Sequence, residues 1–297
     1  MSELASEPLS TAPFAAGTPS ASEAGLRSAT VGRYALLLLV LAITVGPFLW
    51  QLSTSLKGVT EDIYSTPPQL FPQHPTPGNY ARVADAVPIW SFALNSLLVA
   101  TANVVANCLG ASMAGYALAR LSFRGRGAAM TVFLASLLVP FEAIMVALFL
   151  VMRSLHLSNT LAAVVLPGSI AALNVLLMRN AFLALPAAVD EAAVIDGANA
   201  WQRFTRIALP SARGTIVVVA VFSFMFSWDD FLWPLIVLSD PAKYTLTIGL
   251  SYLQGTFVND QRLVAAGTMI AVAPLVLLFV AAQKYFFRGV GEGAVKG

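Results

Sequence analysis

Polar side chains able to do chemistry are few in this sequence, and they fall into three settings. The first is the run ALPAAVDEAAVIDGANAWQRFTRIALPSAR over residues 184–213, which gathers Asp190, Glu191, Asp196, Arg203 and Arg206 in a chain with only 15 acidic and 17 basic residues. The second is a set of amides, Asn95, Asn103 and Asn107 in one apolar run and Asn174 in another. The third is carboxylates inside apolar runs: Glu142 just after Pro140, and Asp229-Asp230 between Trp228 and Trp233. Amides can bond across helices, and a carboxylate in an apolar run is a candidate for function. The two histidines, His74 and His156, leave little for metal or proton-relay chemistry, and the single Cys108 excludes a disulfide framework or a cysteine zinc site. Neither the phosphate-cradling G-x-x-x-x-G-K-[ST] nor the H-E-x-x-H of a zinc protease occurs. No catalytic set and no metal site is expected.

The elements that position these residues are dictated by a bilayer. The chain has 297 residues, 58% of them hydrophobic and 11% charged, with a net charge of +2. Soluble domains carry roughly a quarter charged residues. Together with a mean hydropathy of +0.76, this excludes a soluble enzyme and a disordered regulator. The small net charge excludes a nucleic-acid partner. A membrane helix needs about 20 mostly apolar residues. Six such stretches occur, near 34–52, 92–118, 128–152, 161–182, 215–238 and 263–283, and each must be helical because lipid offers the backbone no partner. The expected fold is an all-α polytopic bundle of six transmembrane helices. Pro47, Pro140, Pro167 and Pro274 fall inside these spans and can bend them. With both termini inside, twelve of the seventeen basic residues lie in cytoplasmic segments and five outside, so the positive-inside bias gives N-in, C-in. The first stretch lacks an A-x-A cleavage site just after it and is expected to be an uncleaved helix.

Two domains are expected. Residues 1–30, rich in Ser, Ala, Pro and Gly, form a disordered cytoplasmic tail, and 31–297 form the membrane domain. The outer segment 54–90 holds Pro67, Pro68, Pro72, Pro75 and Pro77 and is expected to be extended and irregular, either a docking surface or lid or a simple connector.

The 184–213 segment is too polar to span and too long for a hairpin turn. Pro186 suits a helix start. Asp190 and Glu191 sit in the first turns, where the dipole favours negative charge. Gly197 can end the helix in the left-handed conformation. A second short helix is expected from about Asn199 to Leu209, stopping at Pro210. A helix of small residues at the membrane surface either keys into a partner's slot or rests on lipid as an amphipathic helix.

Within the spans, Asn103 and Asn107 share a helical face beside a small-residue ridge, Ala102, Ala106, Gly110 and Ala114. With Asn174 they either glue the bundle or line a pathway. Glu142 is either a functional acid or a helix-end group bonding backbone freed by Pro140. Trp228, Asp229 and Asp230 lie toward the outer mouth, as pathway residues that could stack on and bond a sugar or as an interfacial belt. His156 needs no functional role, and Cys108 acts as a small hydrophobe.

Glu191-Ala192-Ala193, three residues, Gly197, nine residues, Ile207, one residue, Leu209-Pro210: this spacing resembles the EAA loop of the permease subunits of binding-protein-dependent ABC importers. Residues 121–126, 228–232 with Pro234, Thr245-Leu246 with Gly249-Leu250, and the terminal 293–297 resemble the maltose-type carbohydrate branch, and there the second, six-helix permease. The first 30 residues lie outside that pattern. The resemblance implies a multi-pass protein of a prokaryotic inner membrane. It pairs with a second permease and docks two ATPase subunits through Glu191, Ala192, Ala193, Asp196, Gly197, Ile207, Leu209 and Pro210. An extracytoplasmic binding protein delivers the solute. It also implies that ATP and Mg2+ bind to the ATPase and not to this chain. Rival classes are an ion-coupled secondary transporter, which would use several buried acids, an intramembrane protease and a purely structural membrane subunit.

Overall fold

The computed structural model describes residues 21–67, 69–254 and 260–294, with side chains described over 30–67, 69–254 and 260–284. The chain divides into two units, Met1–Trp50 and Gln51–Gly297. Helix α1 (Ala21–Ser55) begins in the first. Backbone over 21–30 is therefore helical where a tail is expected; residues 1–20 lie outside the described residues, as do 295–297 of the terminal motif. Leucines 36–39 and Leu41 are each more than half exposed, the reverse of a soluble helix and suited to lipid.

The second unit is helical throughout its regular structure: α2 (Gly78–Ala86), α3 (Ile89–Arg120), α4 (Arg126–Ser136), α5 (Phe141–Ser154), α6 (Leu161–Val165), α7 (Ala172–Leu183), α8 (Ala187–Ile195), α9 (Ala200–Arg203), α10 (Leu209–Ser211), α11 (Arg213–Asp229), α12 (Leu232–Val237), α13 (Leu246–Leu253) and α14 (Gln261–Ala294). Among the described residues three helices, Thr30–Ser55, Ile89–Arg120 and Gln261–Lys284, are long and apolar enough to cross a membrane, and the number reaches six when each of three bent pairs is taken as one span.

Two of those bends fall at prolines expected to be able to bend their spans, and the third, of 78°, joins Ala200–Ser211 to Arg213–Asp229. The stretch expected over 128–152 is α4 and α5 meeting at 107°. Pro140 supplies no N–H and drives the preceding residue out of the helical region, so the chain restarts at Phe141. In the stretch expected over 161–182, Pro167 sits in a 3-10 turn, Leu166–Gly168, and the axis turns by 45° before α7. The stretch expected over 215–238 ends as a helix at Asp229, because Asp230 is extended (φ −64°, ψ 123°) and only short α12 follows. Pro47 and Pro274, by contrast, lie inside continuous helices.

Helix α3, about 48 Å long at 1.5 Å per residue, is the hub, with α7, α11, α13 and α6 packed along it. Gly115 lets the α7 backbone approach closely: a Cβ there would lie 2.8 Å from the Arg179 amide nitrogen and from the Met178 Cβ. The buried stripe is not the ridge expected from Ala102. It runs one position on, through Asn103, Asn107, Ala111, Gly115 and Ala119, so the amides are part of it. Asn107 closes the break before α7. Its Nδ2 donates to the Asn103 and Gly168 carbonyls (3.0 and 2.8 Å), and its Oδ1 accepts from the Ala171 amide (2.8 Å) and Asn174 Nδ2 (2.9 Å). Asn174 Nδ2 reaches Ser223 Oγ at 3.0 Å, and Asn103 Nδ2 reaches Ser227 Oγ at 3.0 Å. Backbone groups released by the bend are thereby satisfied inside the bundle, which an apolar interior demands.

Contacts between connecting segments sort by parity. The segment before α3 meets the one before α14, through an Arg82–Asp260 ion pair at 3.0 Å and an Arg262 donation to the Glu61 carbonyl. Asn159, before α6, accepts from the Ser239 and Asp240 amides and gives its carbonyl to Lys243 Nζ. At the other end, Arg120 donates to the carbonyls of Phe182 and Leu185.

Between Ser55 and Ile89 the described proline-bearing stretch up to Pro77 is irregular, as expected, and only α2 is helical. The Glu61 carboxylate accepts the amides of Gly58, Gln73 and His74 at 3.0–3.1 Å. Lys57, buried, donates to the Gln69 carbonyl at 2.7 Å, and Asn79 Nδ2 bonds the Ser55 and Lys57 carbonyls. Burial alone would raise the Glu61 carboxyl, but the three amides outweigh it and hold it below its ordinary range. Asp260 is held low in the same way, burial being overcome by the Arg262 amide and the Arg82 and Arg262 guanidinium groups.

Candidate functional site

The site of interest is the segment 184–212. Pro186 (φ −58°, ψ 134°) precedes α8, Asp190 lies in its first turn, and Asp196 caps its end. Gly197 takes φ +78°, with its amide on the Val194 carbonyl and the Ala198 amide on the Ala193 carbonyl at 3.0 and 2.9 Å. This is the left-handed termination that glycine tolerates best. Asn199 and Gln202 then form a reciprocal capping box at the start of α9.

The second helix departs from its expected form. It passes through a π-helical turn at Phe204–Ala208, runs on through α10, and breaks at Ala212 rather than stopping at Pro210. Pro210 has no N–H and clashes with an ordinary preceding turn; widening that turn is a known relief. The wider turn keeps Phe204, Ala208 and Ala212 on one buried face.

Arg203 pairs with Asp190 at 2.9 Å, tying the two halves of the segment together. Of the segment's residues only Ala193, Phe204, Ala208 and Ala212 are buried. Glu191, Ala192, Asp196 and Gly197 are exposed, and Ile207, Leu209 and Pro210 are half-buried. Val194, Ile195 and Trp201 are bare as well, Ile195 at 86% and Trp201 at 61%. The segment therefore stands on the bundle by one narrow face and offers an apolar face flanked by carboxylates to whatever lies beyond. Sequence reasoning missed three parts of this support: the Asp190–Arg203 pair, the Arg120 clamp, and the rings of Tyr116, Phe182 and Phe204. Opposite charges 13 residues apart across a glycine turn were a usable signal for the first.

The other candidate residues do not converge with this segment. Asn103, Asn107 and Asn174 are buried in the network just described. Glu142 is exposed in the first turn of α5, where the helix dipole favours it. Trp228 faces the bundle rather than its surroundings: it is 4% exposed, stacks on Phe224 at 5.4 Å and donates Nε1–H to the Ala271 carbonyl at 3.0 Å. Trp233 is equally internal, with Nε1–H on the Ala163 carbonyl. Asp229 is exposed at the end of α11, and Asp230 is half-buried, its carbonyl accepting from Thr247 Oγ1. Among the described residues no three His, Cys, Asp or Glu side chains converge as metal ligands would.

Comparison with known proteins places this geometry. Residues 106–292 match the family described as the binding-protein-dependent transport system inner membrane component. An arabinooligosaccharides transport system permease protein, AraQ, of Halalkalibacterium halodurans is 38% identical over 208 residues, covering 70% of this chain and 75% of its own. The lactose transport system permease protein LacG of Rhizobium radiobacter is 32% identical over 273 residues, covering 89% and 95%. The sulfoquinovosyl glycerol transport system permease protein SmoH of Agrobacterium fabrum is 31% identical over 253 residues, covering 84% and 88%. A chain of a bacterial ABC transporter involved in the import of the acidic polysaccharide alginate shares the fold, with a TM-score of 0.77 at 23% identity over 91% of this chain and 99% of its own. The chain belongs to the family of binding-protein-dependent transport system inner membrane components, and it is a permease of the bacterial inner membrane that acts in binding-protein-dependent uptake.

Proposed function

We propose that this permease pairs with a second permease to form the pathway of an ATP-driven importer, and that its solute is a sugar or sugar derivative. One observation carries the coupling part of the reading: Ala193 is the one buried residue of α8, and Asp190 is paired with Arg203, while Glu191, Ala192, Val194 and Ile195 are exposed. An exposed apolar face beside a carboxylate fits a groove in a partner that carries a cation. The partner in this reading is an ATPase subunit, one on each permease. ATP and Mg2+ belong to it, since this chain has no phosphate-cradling loop.

The sugar assignment rests on relatives named for arabinooligosaccharides, lactose and sulfoquinovosyl glycerol. Taking the six apolar runs as six spans, the basic-residue bias puts both termini inside, and the parity of the segment contacts supports that reading. The 56–88 segment is then outside. Its exposed Tyr64, Leu70 and Phe71 face the compartment from which a binding protein would deliver solute.

The test is reconstitution. The chain is assembled in proteoliposomes with the second permease, the ATPase and the binding protein encoded beside it. A panel of labelled mono-, di- and oligosaccharides and glycerol phosphates is then offered. ATP-dependent uptake of one panel member, absent when any subunit is omitted, is the expected result. ATP hydrolysis by the isolated chain, or uptake driven by an ion gradient without ATP, refutes the reading.

A further inference from the structure

We infer that Phe204 is a positioning residue for the transport cycle, making the exposed segment, α3 and α7 move as one lever. The inference rests on the reading of α8 as the ATPase dock. Among the buried residues of 184–212, Phe204 alone is larger than alanine. Its ring lies 5.1 Å from that of Tyr116 in α3 and 6.4 Å from that of Phe182 in α7, and those two rings meet edge-on at 5.7 Å. All three are buried. The ring thus joins three segments distant in sequence at one point. Leu185 and Leu209, partly buried, pack against the same cluster, and the Trp201 ring lies 5.4 Å from Phe204 on its exposed side. The other fully buried residues of the segment are alanines.

A displacement of α8 has a short route to this ring. Asp190 of α8 is paired at 2.9 Å with Arg203, the residue before Phe204. Arg120, four residues beyond Tyr116 on α3, holds the carbonyls at the end of α7 and at Leu185, so the two helices flanking the ring are themselves pinned together. Further along, Asn107 links α3 to the bend before α7. Close-packed groups transmit displacement because they cannot deform continuously. With alanine in place of the ring, α8 could shift without carrying α3.

The experiment uses the full reconstituted complex with Phe204→Ala, Phe204→Leu and Phe204→Tyr. Membrane abundance, retention of the ATPase, binding-protein-stimulated hydrolysis and uptake of the panel sugar that the wild-type complex imports are measured together. Phe204→Ala is expected to retain the ATPase and to hydrolyse ATP at near the wild-type rate. Solute moved per ATP should fall roughly tenfold, as loss of a coupling contact implies. Phe204→Tyr should restore that ratio and Phe204→Leu should fall between. An unchanged ratio in Phe204→Ala overturns the inference. So does a proportionate fall of hydrolysis and uptake, or failure of both the Ala and Leu variants to accumulate, since each marks a purely structural ring. A wild-type complex that shows no ATP-dependent uptake at all strikes the underlying reading instead.

Discussion

Replacing Gly197 with valine strains the backbone at a position where an added Cβ meets no neighbour. At φ +78° the glycine sits in the left-handed region, and a Cβ built there meets nothing within 4 Å. An added Cβ therefore overlaps no other residue, and the cost is chiefly conformational, about 1–2 kcal/mol for an L-residue. On either side the chain is pinned, by Asp190–Arg203 at 2.9 Å and by the Asn199–Gln202 capping box. Relief must come from swinging the end of α8 rather than from unfolding. A strain of that size shifts the population of the native aim by about 5–30-fold. Because the segment is largely exposed, folding of the bundle is spared. The assay measures uptake, membrane abundance and ATPase co-purification in the same cells, for Val, Ala and Asn at position 197. Valine should leave abundance near normal and lower uptake by about 5–30-fold, alanine should fall between, and asparagine, which tolerates the left-handed region, should stay near wild type. Normal uptake by Gly197→Val at normal abundance would show that the aim of α8 does not matter. Equal damage from Asn and Val would show that something other than φ is required there.

Glu191→Lys reverses the exposed charge beside Ala192 and should release the ATPase from the purified complex at normal permease abundance; undiminished co-purification sinks the proposed cation partner. Asn107→Ala strands the Gly168 carbonyl and the Ala171 amide, each costing about 1–3 kcal/mol, so melting temperature in detergent should drop, and a neutral substitution would mean that water replaces the amide. For Glu61 and Asp260 the folded carboxyls are held low. Their contribution is present above the unfolded value near 4 and lost as pH falls through the folded one. Protease cleavage after residues 56–74 should thus rise on acidification below about pH 4 and be unchanged between pH 6 and 8. In a Cys108→Ala background, a cysteine at exposed Gln73 should react with an impermeant thiol reagent from outside, and one at exposed Asp196 only after permeabilisation; the opposite pattern overturns the orientation.

Local chemistry explains which features could be read from the sequence. Pro186 and Gly197 bound α8 because each has a conformational preference of its own, and the structure starts and ends the helix there. The helical class followed from apolar run lengths, which a bilayer enforces. Features set by a neighbour could not be read. Trp228 and Trp233 suggest a membrane boundary by residue type, but each gives its indole N–H to a carbonyl of another helix. A missing proline donor indicates a bend at Pro140 but cannot give the 107° angle, which depends on what the two halves pack against. The buried face of α3 lies one position from the expected ridge; it holds Gly115 against Met178 and Arg179, while the ridge residue Gly110 approaches Ile170. The joining of Tyr116, Phe182 and Phe204 spans 88 residues and leaves no periodic trace.

If the Glu61 segment receives the binding protein, as proposed above, its internal bonding bears on how fast that visitor is bound. A loop that must fold upon contact slows capture and surrenders part of its affinity to ordering. Here three amides on one carboxylate, the buried Lys57 and the Arg82–Asp260–Arg262 tie have fixed the backbone beforehand. Collisions with this surface are then limited by diffusion and orientation, and variation in affinity falls on the dissociation rate. The residues it displays, Tyr64, Leu70 and Phe71, are exposed and carry none of these bonds in their side chains. They are free to drift in evolution toward a new carrier while the scaffold beneath them keeps its shape.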